Sequence, residues 1–178
     1  MTTLCSGRCG PILAVVLILT LTACQGLPPL PFGAPARPAL YTISTPFDEA
    51  EFAPYGSDGR SSISGEAYVR VPGGISLAAG SEVVLVPDTA YTRELWEPAR
   101  SGRYTGVANF DQRYFHYRRS TFADQNGYFR FTKLPPGSYI VQTNIYVPEE
   151  GSSVFLHRRV KVEDNAAQNI ILSVMNQE

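Results

Sequence analysis

The sequence predicts an all-β chain: a seven-stranded antiparallel Greek-key sandwich over residues 61–178, preceded by a signal peptide and a proline-rich tether. Three observations predict it. Apolar and polar residues alternate along short runs. In Ser61 to Val71, for example, Ile63, Ala67, Val69 and Val71 alternate with Ser64, Glu66, Tyr68 and Arg70, the period of a half-buried strand. Gly, Pro, Asn or Asp turn residues bound nearly every such run, at intervals of roughly 8–12 residues. No segment carries a sustained helical period with caps, which leaves no crossover helices for a parallel sheet.

The first element is an address. "MTTLCSGRCGPILAVVLILTLTAC" has a short start whose only charged side chain is Arg8, then an apolar run from Ile12 to Leu21, then small residues, the layout of a secretory signal. As a helix that run spans about 15 Å, half of a bilayer's hydrocarbon core, so it is too short for a permanent span. It ends in Leu21-Thr22-Ala23-Cys24, which resembles the lipobox of bacterial lipoproteins. The resemblance implies cleavage after residue 23, a diacylglyceryl thioether on Cys24 and acylation of the new amino terminus, two or more chains being what stable anchoring needs. Gln25 follows, where an Asp would imply retention in the inner membrane. The expected location is therefore the bacterial envelope, at the outer membrane facing the periplasm.

The three cysteines are Cys5, Cys9 and Cys24. Cys5 and Cys9 leave with the signal, so neither a disulfide framework nor a cysteine-metal cluster holds the body together.

Residues 24–60 read as a tether. Pro28, Pro29, Pro31, Pro35, Pro38 and Pro46 suit neither a helix interior nor a central strand. An extended proline-rich spacer at about 3.1 Å per residue reaches roughly 60 Å from the lipid. The stretch from Phe47 to Arg60 is transitional: Phe47, Phe52 and Tyr55 are expected to pack onto the domain.

The strands follow. After Ser61 to Val71 comes "SEVVLVP", a nearly continuous apolar run suited to a strand covered on both faces, with Val83 and Leu85 on one side and Val84 and Val86 on the other. A longer insertion separates Pro87 from Asp111. Five more runs, "DQRYFHYRRST", "GYFRFTKL", "SYIVQTNIYV", "SVFLHRRVKV" and "QNIILSV", complete the seven. Asn126-Gly127 is expected to close a tight hairpin. Phe129 and Phe131 face the core, Tyr128 and Arg130 face away, and Pro135-Pro136-Gly137 redirects the chain so that Tyr139, Val141, Thr143 and Ile145 continue one face.

The run "ADQNGYFRFTKLPPGSYIV" resembles the carboxypeptidase regulatory-like family, relatives of Cna-B modules with the transthyretin-like (prealbumin-like) sandwich. The residues that carry the likeness are Asp124, Gly127, Phe129, Phe131, Leu134, Pro135, Gly137, Tyr139 and Val141. "ISGEAYV" and "AAGSEVVLVPDTAY" resemble that family's first two strands. The resemblance implies a fold and no chemistry, since every one of these positions serves a turn or the core. A Cna-B-type isopeptide crosslink needs a lysine, usually on the first strand, and the only lysines are Lys133 and Lys161.

Catalytic patterns are sparse. His116 and His157 are the only histidines, and neither sits in a zinc-peptidase arrangement. "HYRRS" is similar to the Tyr-Arg-Gly-Ser terminus of hydroxyisourate hydrolases, but here it lies mid-chain with Arg119 in place of Gly. No G-x-S-x-G elbow is present. The expectation is a non-enzymatic chain with no metal and no cofactor.

Charge is unevenly spread around a net of −1, without the overall basic balance of a nucleic-acid binder. From Arg100 to Lys161 there are ten Lys or Arg against four Asp or Glu. Strand alternation groups Tyr114, His116 and Arg118, and Tyr128 with Arg130 on the next strand. These five form the expected binding face, for an envelope protein or an anionic glycan, because Arg forks pair with carboxylate or phosphate and exposed Tyr suits sugar and protein surfaces. A purely structural spacer and a hydroxyisourate-type enzyme are the alternatives.

Overall fold

The computed structural model describes residues 39–101 and 103–174. The signal segment, Cys24 and the proline-rich run to residue 38 lie outside the described residues. The chain enters as β1 (Ala39–Tyr41) and a single helical turn, α1 (Glu49–Phe52), capped by Asp48, whose carboxylate accepts from Ala50 N at 2.9 Å. Then come β2 (Ser61–Val71), β3 (Gly74–Leu77) and β4 (Glu82–Pro87). The insertion carries α2 (Ala90–Leu95), α3 (Glu97–Ser101) and β5 (Tyr104–Val107), and α4 (Tyr114–Tyr117) follows it. The rest is β6 (Arg119–Phe122), β7 (Tyr128–Leu134), β8 (Gly137–Val147), β9 (Ser152–Val162) and β10 (Ala167–Leu172).

The fold is the predicted β-sandwich. One sheet has β2 at its centre, with β10 on one edge and β7 and β3 end to end on the other. Ala67 marks the changeover: its N–H donates to Gly127 O and its carbonyl accepts from Ala78 N, both at 3.0 Å. The second sheet runs β6-β4-β8-β9. Between them lie Ile63, Val69, Phe129, Phe131, Ile170 and Leu172 from the first sheet and Val83, Leu85, Tyr139, Val141, Ile145 and Leu156 from the second. The alternations in β2, β4, β7 and β8 point as the sequence indicates.

Four expectations change. Ten strands, not seven, occur among the described residues. The sandwich is not wholly antiparallel, because β10 runs parallel to β2 over Ala167↔Ser62 to Leu172↔Ala67, and β1 pairs β5 in parallel. Asn126-Gly127 closes no hairpin: it carries the chain from β6 in one sheet to β7 in the other. The turn is held by Asp124, whose carboxylate accepts from Asn126 N at 2.8 Å and Tyr128 N at 2.9 Å. Gly127 is needed there, since its φ is +79° and a Cβ would meet Ala67 O at 2.7 Å. Finally, "DQRYFHYRRST" is not one strand but α4 followed by β6.

A third layer covers the outer face of the second sheet. Val84, Val86 and Ile140 point into it and meet Ile43, Phe52, Tyr91, Trp96 and Tyr114. Aromatic residues of the stretch from Phe47 to Arg60 pack on this layer and on the core. Phe52 is fully buried, Phe47 stacks on it at 4.4 Å between centroids, and Tyr55 sits edge-on to Tyr139 at 5.1 Å.

Candidate functional site

The layer that covers the outer face of β4 also leaves a gap. The outward positions of β8 and β9 are set by their register, Gln142 opposite His157 and Asn144 opposite Phe155. These side chains form a floor. Above it come Leu95 and Trp96 at the end of α2, and Tyr114 from α4. Together Leu95, Trp96, Tyr114, Gln142, Asn144 and Phe155 line a partly open cavity of about 310 Å³.

Each wall is held in place locally. Helix α2 starts at Thr89, whose hydroxyl accepts from Thr92 N at 3.1 Å. Asp88, just before it, takes Arg93 at 2.9 Å and Arg159 of β9 at 3.6 Å, tying the helix to the floor. Glu94 faces the incoming chain and accepts from Tyr41 OH at 3.0 Å, Ser44 N at 2.7 Å and Thr45 N at 2.7 Å. Burial alone would raise its carboxyl, but the hydrogen bonds from Ser44 and Thr45 outweigh it and hold the group at about 2. Asn109 brackets Ile43 with two bonds of 2.8 Å, one to its N–H and one to its carbonyl.

Two atoms at this site lack a hydrogen-bond partner among the described residues although they are buried: the indole Nε1 of Trp96, a donor, and the amide oxygen of Gln142, an acceptor. Trp96 is only 7% exposed. Its ring meets Phe155 edge-on at 6.4 Å and His157 at 5.6 Å, and Phe155 stacks on His157 at 5.6 Å. An unpaired buried polar atom costs roughly 1–3 kcal/mol. A donor and an acceptor left this way at one cavity are positions that a ligand or an ordered water can pair.

The five residues expected to form a binding face are not gathered. Tyr114 is 5% exposed and faces the cavity layer; burial pushes its phenol above the ordinary value, so it stays neutral. His116 is exposed on α4, its ring against Tyr117. Arg118 pairs with Glu82 at 2.8 Å. Tyr128 and Arg130 are exposed on the outer side of the other sheet. The physical reason is α4: one helical turn breaks the alternation that would have aligned Tyr114, His116 and Arg118. Arg119, central to the hydrolase-like string, donates to the carbonyls of Ser57, Thr132 and Lys133 and staples loop to strand. Lys133 and Lys161 are exposed and pair with Asp58 and Glu163. Among the described residues, no three His, Cys, Asp or Glu gather as a metal site.

The sequence reading missed Trp96, Gln142, Asn144 and Phe155. Two signals pointed to them. Trp96 is the sole tryptophan of the chain and sits in the insertion, and Gln142 and Asn144 put amide side chains on the face of the second sheet that β4 shows to be covered.

No family model and no curated protein matches the chain. Solved structures do. A "putative carbohydrate binding protein" from Pseudomonas aeruginosa aligns with a TM-score of 0.59 at 24% identity, over 71% of this chain and 97% of that one. At that identity the likeness speaks for the fold. The minor pilin of Streptococcus agalactiae (14% identity, TM-score 0.36, over 67% of this chain and 44% of the pilin) and the major pilin subunit of Bacillus cereus (16%, 0.34, 68% and 30%) lie further off. This chain spans less than half the length of either pilin.

Proposed function

We propose that the protein is a non-catalytic, carbohydrate-binding module of the bacterial envelope, tethered to the outer membrane by lipid on Cys24 and facing the periplasm. One observation carries the binding part: a cavity that combines aromatic rings with an unpaired indole N–H and an unpaired amide oxygen. Aromatic faces match the C–H face of a sugar, and fixed polar groups match its hydroxyls. The fold shared with a protein described as a carbohydrate binder supports this reading by analogy.

The lipid part rests on "LTAC" and on the proline-rich run after it. No helix among the described residues is long and apolar enough to cross a membrane. Replacing Cys24 by Ser is expected to move the protein from the membrane fraction to the soluble fraction of the envelope.

The binding test is retention of the full chain, held in detergent, on arrays of immobilised glycans. Retention that is saturable, competed by free glycan and lost in Trp96→Ala supports the reading. Absence of retention on every envelope polysaccharide overturns it.

A further inference from the structure

We infer that the cavity is selective for an uncharged sugar ring, not for the anionic glycan that the arginine-rich half of the sequence suggests. This rests on the carbohydrate reading above and names the class of sugar.

None of the lining side chains, Leu95, Trp96, Tyr114, Gln142, Asn144 and Phe155, carries a charge at neutral pH. Several arginines on or next to the lining elements are engaged with carboxylates. Arg93 and Arg159 share Asp88, and Arg118 is paired with Glu82. Arg113 pairs with Asp111 at 2.8 Å and Glu49 at 3.2 Å, and lies 4.6 Å over the Phe47 ring. A carboxylate or sulfate brought into this cavity would shed its hydration and find only neutral donors among the six lining side chains; His157, on the floor beside them, has its ring packed on Phe155 and Trp96. Buried charge without a counter-charge is strongly disfavoured.

The polar groups match a neutral ring instead. The Trp96 indole only donates and the Gln142 amide oxygen only accepts, while the Asn144 amide does both. They approach from different elements, the end of α2 and the outer face of β8, so a ligand that satisfies them must carry hydroxyl or amide groups on separate edges. An apolar ligand would leave both buried atoms unpaired. Phe155 and Leu95 supply the apolar contact between these polar points. The volume of about 310 Å³ is at the low end for small-molecule sites, the scale of a terminal sugar unit. The rest of a glycan would leave through the open side.

Trp96 is the only tryptophan in the chain, so indole emission, excited beyond the tyrosine absorption band, reports this cavity alone. The test titrates the full chain with methyl glycosides of neutral hexoses and N-acetylhexosamines, and with the uronic acids of the same ring configuration, following that emission. The expected result is a saturable change with at least one neutral glycoside. Its uronic acid should bind at least about tenfold more weakly, and added salt should leave the neutral affinity unchanged. Gln142→Met should abolish the response while the emission of the free protein stays that of a buried indole. Uronic acids that bind as tightly as their neutral parents overturn the inference. So does glycan retention on the array with unchanged Trp96 emission, which leaves the carbohydrate reading standing at another site. Loss of array retention as well would sink both.

Discussion

Tyr139 shows how a motif position acts. Its hydroxyl donates to Pro135 O at 2.7 Å inside the core, which closes the turn between the sheets and explains why tyrosine follows the proline by four residues. Gly137 lies beneath the Tyr55 ring, where a Cβ would sit 2.6 Å from Tyr55 Cε1. Tyr139→Phe is expected to lower stability by about 1–2 kcal/mol, read from the urea midpoint at unchanged slope. Gly65 is tighter still, because a Cβ there would lie 2.3 Å from Ile170 O. That contact is with backbone, so Gly65→Ala has to move β10 away from β2, at about 2–3 kcal/mol. Gln142 obeys the opposite logic. Exchanging its unpaired amide for a thioether of similar length removes a buried polar cost, so Gln142→Met should raise stability by roughly 1 kcal/mol while it abolishes sugar binding. A variant both less stable and still binding would contradict that account of the residue.

Elements differ in how far they were legible from sequence. β2, β7 and β8 were readable because alternation is a local property and both sheets enforce it along seven or more residues, and β4 because a continuous apolar run marks a strand covered on both faces. α4 was not readable. Four residues, Tyr114 to Tyr117, make one turn, and aromatic residues at such spacing fit a strand equally well; what decides is the burial of Tyr114 against Phe52 and Tyr91, a long-range event. The cavity was hidden for the same reason, since Trp96, Gln142 and Phe155 come from three separate segments. The entering segment from Tyr41 to Thr45 depends on Glu94. Its carboxyl is held at about 2 against an ordinary 4.5, so its contribution is present above that ordinary value and fades as pH falls towards 2. Amide protection of Ser44 and Thr45 in hydrogen exchange should decline over that window. In Glu94→Ala it should be lost, with exchange at least roughly tenfold faster, while the sandwich strands stay protected.

At the scale of the molecule, the sandwich is a frame, and the proposed binding site lies in the third layer that covers it. "SEVVLVP" already implied such a layer, since β4 is buried on both sides. What the sequence did not show is that residues 39–60 and the insertion after Pro87 build it together, leaving polar β8 side chains beneath Trp96. The measurement that tests this directly is the single indole N–H resonance of Trp96 in a proton–nitrogen correlation spectrum, followed while a glycan retained on the array is added. The account predicts a saturable shift of that peak, together with the Gln142 side-chain amide, and no movement of the Arg130 and Tyr128 amides on the opposite sheet. A stationary indole peak at saturating glycan, with shifts confined to Tyr128 and Arg130, would contradict it.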